Sequence, residues 1–301
     1  MKSYIKTLEK NISRKKKIID DDVDYFKGIP LFKWVEISPI DACNRKCSFC
    51  PKADPKIAPD TYKKMHIDLV KKLNKEFLEI GFKGTIVFAG YGEPLLNKNI
   101  FKMIKLFSKS FNTEVTTNGD PLNEKVINKL LDSGINKIIV SLYDGPHQIN
   151  DFKKLFQKCK ISEEKYVLRD RWYNADEGYG LMLTNRAGTL NLKQQNVPKK
   201  IDKRCFYSHY SMMIDWNGDI FLCTQDWNRK IKSGNVFEKH ILDIWNSDLM
   251  ENYRKELSLG KRITSPCINC NANGTMHGIN HANSWEKYYN SIKKNSKIAR
   301  I

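Results

Sequence analysis

The sequence predicts an α/β fold, built from repeated βα units around a parallel sheet and followed by a second, small, metal-dependent domain. Three observations predict it. From Phe32 onward, short apolar runs rich in β-branched residues alternate with amphipathic stretches, the pattern of parallel strands with crossover helices. Polar and glycine-containing motifs follow these runs, where open sheets and barrels gather function at the carboxyl ends of their strands. After about Pro198 the texture changes to a hairpin signal, a helical stretch and a closing pair of cysteines. Five or six successive βα units fit either an open doubly wound sheet or a partial barrel.

Taken in order, residues 1–27 are polar, with the basic run Arg14-Lys15-Lys16-Lys17 ahead of Asp20-Asp21-Asp22; a short helix and a loose arm both fit. Strands are predicted over 34–38, 85–89, 113–117, 137–141 and 166–169, with a sixth over 180–184. Pro39 ends the first, because it cannot donate to a sheet ladder. Helices are predicted over 67–80, 99–108, 123–133 and 148–158, with Gly81, Gly84 and Gly134 where helices stop. Met212 to Cys223 reads as two strands around Trp216-Asn217-Gly218-Asp219, since Asn-Gly between apolar runs is a hairpin signal. An amphipathic helix follows over 241–257. The expected division is an N-terminal arm (1–30), the βα-unit domain (31–197), the metal-dependent domain (198–280) and a C-terminal tail (281–301).

At 301 residues and 41% hydrophobic composition the chain is large enough for a proper core. No run of about 18 uncharged apolar residues exists and no apolar stretch follows the first basic residues, so neither a membrane span nor a secretory signal is readable. The expected location is the cytoplasm. The net charge of +18 comes from lysines spread over almost every segment, which reads as a solvated surface; an acidic or phosphorylated small molecule is the next partner it suggests, and nucleic acid is not expected.

Eight cysteines in a reducing compartment point to metal or redox work rather than disulfides. Cys43, Cys47 and Cys50 have C-x3-C-x2-C spacing in a loop just after the first strand. Such a loop turns three thiolates toward one point and leaves one iron of a cluster without a protein ligand, an open site for chemistry. Part of a zinc site is the competing reading. Cys205, Cys223, Cys267 and Cys270 form a second set, with 17 residues, then 43, then two between successive members. Four thiolates complete one closed cluster or one tetrahedral zinc site. Cys159 stands alone on a helical pattern and reads as a packed residue.

These motifs resemble those of the radical S-adenosylmethionine (radical SAM) superfamily, in which a [4Fe–4S] cluster with one open iron binds SAM. The resemblance implies a partial (β/α)6 TIM-like barrel, with Cys43, Cys47 and Cys50 as the cluster ligands and Phe49 as the aromatic residue near the adenine. Gly90-Tyr91-Gly92-Glu93-Pro94 is similar to the family's Gly-Gly-Glu-Pro segment, with Tyr91 interrupting the glycine pair; glycines admit the ligand to the backbone and the carboxylate can accept from the SAM ammonium group. Thr117, Asn118 and Gly119, then Ser141, match the polar residues that end the third and fourth strands, and Arg169 or Arg171 could supply a cation for the SAM carboxylate. The C-terminal half resembles the superfamily's iron–sulfur modules with a β-hairpin and helix, SPASM and its shorter form Twitch. Four cysteines fit the shorter, one-cluster form, which makes two [4Fe–4S] clusters per chain, one SAM-binding and one auxiliary.

Arg186, in Leu183-Thr-Asn-Arg-Ala-Gly188 between the two modules, is the expected catalytic or substrate-anchoring residue, because a guanidinium forks onto hydroxyl, carboxylate or phosphate groups. His209 could face the site but fits a structural role better, and Asp215, Asp219 and Asp226 suit turns. The architecture resembles 2-deoxy-scyllo-inosamine dehydrogenase-like enzymes. That resemblance implies a radical SAM oxidoreductase that removes hydrogen from a sugar, aminocyclitol or similar alcohol, or epimerises it, with the auxiliary cluster accepting an electron and flavodoxin or ferredoxin as external donor. A peptide or protein maturase is the alternative, against which the 33 residues before Trp34 are few for a leader-binding domain. A zinc protein that binds nucleic acid is more remote, since it leaves the motifs at the strand ends unexplained.

Overall fold

The computed structural model describes residues 2–174, 178–179, 183–191 and 203–298. Its main sheet has eight strands: β1 (Trp34–Ile37), β2 (Thr85–Phe88), β3 (Asn112–Thr117), β4 (Lys137–Leu142), β5 (Tyr166–Asp170), β6 (Ser211–Ile214), β7 (Asp219–Phe221) and β8 (Lys232–Asn235). The spatial order is β8-β7-β6-β1-β2-β3-β4-β5. From β6 to β5 all neighbours are parallel, and β7 and β8 are antiparallel additions.

The helices between the strands are α2 (Ile67–Glu79), α3 (Ile100–Phe107), α4 (Glu124–Asp132) and α5 (His147–Lys158); α1 (Lys2–Ile19) precedes β1. Helix α2 shows why they form. Leu69, Val70, Leu73 and Phe77 recur at helical spacing and are fully buried, while Asp68, Lys71 and Lys75 face water. Asn123 caps α4 by accepting from the Val126 N–H at 3.0 Å. These faces pack on Val35, Ile37, Ile86, Phe88, Val115 and Val140 of the sheet. The alternate residues Trp34, Glu36 and Glu114 point to the other face. There α1 lies: Arg14 pairs with Glu114, the Lys15 ammonium sits 4.3 Å from the Trp34 ring centre, and Ile19 packs with Trp34 and Val87.

One expectation is corrected, and another falls largely outside the described residues. Of the strand expected over 180–184, residues 180–182 lie outside the described residues, and Leu183 and Thr184 belong to no strand. The sixth parallel place, beside β1, is taken by β6, where Ser211 pairs with Trp34 and Ile214 with Ile37. All four residues of β6 are buried, as a strand flanked on both sides and covered on both faces requires. The helix expected over 241–257 is two, α6 (Ile241–Trp245) and α7 (Asp248–Ser258). Ser247 is extended between them (φ −71°, ψ 155°), and the break turns the Trp245 indole inward to donate to the Pro30 carbonyl at 2.9 Å. The last helix, α8 (Ile279–Ile298), covers this side: Trp285 is 1% exposed and donates to the His209 carbonyl at 3.1 Å.

Candidate functional site

The three-cysteine loop leaves β1 at Ser38 and is held from below by buried charge. The Lys52 ammonium, 2% exposed, lies 2.8 Å from Asp41 Oδ1 and 2.7 Å from the Pro59 carbonyl, with Asp60 Oδ1 at 3.3 Å. Asp60 accepts from the Cys43 N–H at 3.1 Å. Arg45 reaches sideways, bonding Asp120 beyond β3 and Asp144 beyond β4. Loop and strand ends thus share one frame. The Phe49 ring lies 5.4 Å from that of Tyr143, beyond β4. Burial and the neighbouring sulfurs push the Cys47 thiol up to about 12, and Cys43 moves the same way, with burial the larger cause. Three half-buried sulfurs that repel one another as thiolates fit a site completed by cationic iron.

The Gly90 to Pro94 segment locks against this loop. Gly90 has φ +90°, and a Cβ at Gly92 would stand 2.4 Å from the Ile40 carbonyl oxygen and 2.5 Å from that of Ala42, so the close approach excludes any side chain. Glu93 is 2% exposed. Its carboxylate accepts from Thr117 Oγ1 at 2.8 Å, from the Asn118 N–H at 2.8 Å and from the Leu95 N–H at 3.1 Å, while burial pushes its pKa up to about 7. Pro94 opens a single helical turn, Pro94–Leu96. Asn118 Nδ2 faces the Cys43 sulfur at 3.8 Å and donates to Asn44 Oδ1 at 2.8 Å. Tyr91 turns elsewhere. Its ring packs 5.0 Å from that of Trp227, and its hydroxyl donates to the Asp226 carbonyl at 3.0 Å.

Farther along, Arg169 Nη2 donates to Ser141 Oγ at 2.7 Å. Desolvation lowers the pKa of Arg169, and it lowers that of Arg171, which Arg169 also repels, to about 9. Arg186 and Ala187 have φ of 49° and 53°, a left-handed conformation that costs side-chain-bearing residues of order 1 kcal/mol each and concentrates at functional sites. Their turn is bolted to the second cysteine set: the Asn185 N–H donates to Asn271 Oδ1 and Asn185 Nδ2 to the Asn269 carbonyl, both at 2.7 Å.

Cys205, Cys223, Cys267 and Cys270 line one cavity, together with Tyr207, Leu222, Leu257, Arg262 and Ala272. Arg262, 2% exposed, splints its wall by donating to the carbonyls of Lys203, Cys270 and Ala272 at 3.0, 3.1 and 2.9 Å. A Cβ on Gly274 would stand 2.2 Å from Cys205 Sγ. Burial raises all four thiols, and the neighbouring sulfurs add to it at Cys223 and at Cys267, which reaches about 12; burial brings Cys205 to about 11. Four converging thiols in an apolar cavity fit one cluster with a full protein ligand set.

Sequence reasoning missed Lys52, Arg45, Arg229 and Arg262. Arg45 had a signal, its place between two cysteines; in a lysine-rich chain the others look like surface charge. Arg229 joins the halves, with Nε 2.7 Å from Asp215 Oδ2 and Nη2 3.2 Å from Asp41 Oδ1. His209 is fully buried, 2.8 Å from Ser258 Oγ. Asp226 accepts from the N–H groups of Lys230 and Ile231 at 3.1 and 2.8 Å, and Asp219 from Asn217 and Asn235 side chains.

Residues 37–167 match the family model of the radical SAM superfamily, and residues 205–271 match that of an iron–sulfur cluster-binding domain, SPASM. The chain belongs to the radical SAM superfamily, as an oxidoreductase whose cofactors are SAM and two [4Fe–4S] clusters. It is 33% identical over 248 residues to the S-adenosyl-L-methionine-dependent 2-deoxy-scyllo-inosamine dehydrogenase of Niallia circulans, which covers 80% of this chain and 93% of the relative. It is 32% identical over 112 residues to GTP 3',8-cyclase of Clostridium perfringens, 36% of this chain and 34% of that one. The crystal structure of BtrN with AdoMet and 2-DOIA superposes with a TM-score of 0.68 at 30% identity, over 83% of this chain and 98% of that chain. Among the described residues no helix is long and apolar enough to cross a membrane.

Proposed function

We propose that this enzyme abstracts a hydrogen atom from a carbinol carbon of a sugar, an aminocyclitol or a similar small alcohol and oxidises it to the ketone. The SAM-binding cluster, when bound, supplies the reducing electron that cleaves SAM to methionine and a 5′-deoxyadenosyl radical. Cys43, Cys47 and Cys50 would hold it. Glu93, with Gly90, Gly92, Thr117, Asn118 and Ser141, would position SAM, Phe49 would pack near the adenine, and Arg169 would face the carboxylate. Cys205, Cys223, Cys267 and Cys270 would hold the auxiliary cluster as electron acceptor, and Arg186 would anchor substrate. Flavodoxin or ferredoxin would be the external donor and the cytoplasm the location. The division that goes with this reading is 1–30, 31–197, 198–280 and 281–301, with the first and last segments packed on the central two through Ile19 and Trp285.

One observation carries this reading. The strained turn at Arg186 is tied to the Cys267 to Cys270 loop on one side, and its guanidinium stands 5.9 Å from the ring of Trp227, which packs on Tyr91 of the Gly90 to Pro94 segment. Substrate held there would meet both cysteine sets. The test is a deuterium-labelled panel. Label from an aminocyclitol or sugar carbinol should reach 5′-deoxyadenosine, and the product should be a ketone; label arriving only from a peptide would refute the reading. The Cys43→Ala, Cys47→Ala and Cys50→Ala variants should give no dithionite-dependent 5′-deoxyadenosine, and persistence of that product would refute the assignment of the initiating site.

A further inference from the structure

The stretch that builds the four-cysteine cavity is also a surface. Leu259 is 70% exposed, Ile263 63% and Ile268, between Cys267 and Cys270, 38%. Exposed Lys203, Arg204 and Lys261 border them. The fold brings the basic pair to this stretch: a Cβ on Gly260 would lie 3.5 Å from the Arg204 nitrogen, Arg262 ties the Lys203 carbonyl to that of Cys270, and the Arg204 guanidinium stands 5.5 Å from the Phe206 ring. Among the described residues, none of the three cations is in an ion pair, whereas the nearby Glu256 carboxylate accepts from Thr264 Oγ1 at 3.1 Å. Leu257, Arg262, Cys267 and Cys270 of the same stretch line the cavity, and Leu259, two residues on from Leu257, faces solvent.

Three large aliphatic residues exposed on one short stretch favour an interaction surface, and cations with no carboxylate partner beside them select an acidic partner and steer its approach. We propose that this face docks an acidic one-electron carrier protein. The inference rests on reading the four-cysteine cavity as the auxiliary-cluster site. Converting an alcohol to a ketone removes one hydrogen as an atom, which the 5′-deoxyadenosyl radical takes, and the other as a proton and an electron; the oxidised carrier gains that electron. The same loop carries Asn269 and Asn271, which hold the Arg186 turn.

The test is direct binding of oxidised flavodoxin to the holoenzyme by biolayer interferometry over a salt series. Wild type should bind with an affinity that falls steeply with salt, and K203E/R204E/K261E should weaken it about tenfold or more at low salt. The variant K75E/K102E/K125E, with equal charge change on the far helices, should bind as wild type does. L259S/I263S should weaken binding while leaving its salt slope. Equal affinity in the rim variant and wild type, equal losses in both charge variants, or capture of heparin but not flavodoxin at this rim would overturn the docking proposal. Iron content separates this from the underlying reading: about eight irons per chain with unaltered flavodoxin binding in the rim variant sinks only the docking face, whereas about four irons in wild type sinks the cluster assignment itself.

Discussion

The Lys52 ammonium and the Asp41 carboxylate meet at 2.8 Å beneath the three-cysteine loop, with side chains 2% and 7% exposed. Removing one member of a buried, hydrogen-bonded pair leaves the other charge uncompensated, which costs about 3–5 kcal/mol. Arg229 remains 3.2 Å from Asp41, so the lower end is expected. Lys52→Met should lower unfolding stability by about 3 kcal/mol in denaturant titrations and reduce iron bound at the first loop.

Gly92 makes a second, purely steric prediction. Its absent Cβ would fall within 2.5 Å of two backbone oxygens, and neither is the end of a flexible side chain. Gly92→Ala must push the Gly90 to Pro94 segment away from Ile40 and Ala42, at a cost of about 1–3 kcal/mol. Weaker SAM binding should accompany the loss, measured by equilibrium dialysis on reconstituted protein.

Glu93 links protonation to stability. Burial raises its folded pKa from 4.5 to about 7, so the folded chain holds this proton more tightly than the unfolded chain. Its contribution is fully present below about pH 4.5 and is lost as pH rises through 7, a change of order 3 kcal/mol. Glu93→Gln cannot ionise. The fall in unfolding free energy between pH 5 and pH 8 should be smaller in the variant than in wild type, by urea titration of cluster-free protein. A SAM ammonium beside the carboxylate would pull its pKa back down, so SAM should flatten the profile of cluster-loaded wild type.

Most strands of the sheet's parallel part are legible because each is a short local run rich in apolar or β-branched residues, and the cysteines and Gly90 to Pro94 because their spacing is local. Long-range relations are not. β6 pairs with β1 across most of the chain, whereas chain order suggests that the next strand after β5 should continue the series. Tyr91 lies within a motif that predicts ligand contact, and only the arrival of Trp227 and Arg229 from the other half turns its ring into their interface. A lone lysine or arginine carries no sequence mark of burial, which hides Lys52, Arg229 and Arg262 among solvated charges.

Arg254 is the strongest such case, and it decides whether α8 belongs to the folded unit. Its guanidinium lies between two indoles, 4.1 Å from the Trp245 ring centre and 3.8 Å from that of Trp285 on α8. Nε donates to the Ser208 carbonyl and Nη2 to that of Trp245, both at 2.8 Å. The residue is fully buried, and desolvation lowers its pKa to about 10. A lysine keeps the charge but has neither the planar face for both rings nor the fork for both carbonyls. Arg254→Lys should therefore cost about 2–4 kcal/mol. Because Ser208 and Leu257 on either side of Arg254 line the four-cysteine cavity, the loss should reach the second cluster. Iron should fall toward about four per chain, α8 should become sensitive to limited proteolysis, and dithionite-dependent cleavage of SAM should persist. Unchanged stability would show that α8 and this arginine pack on the fold without supporting it.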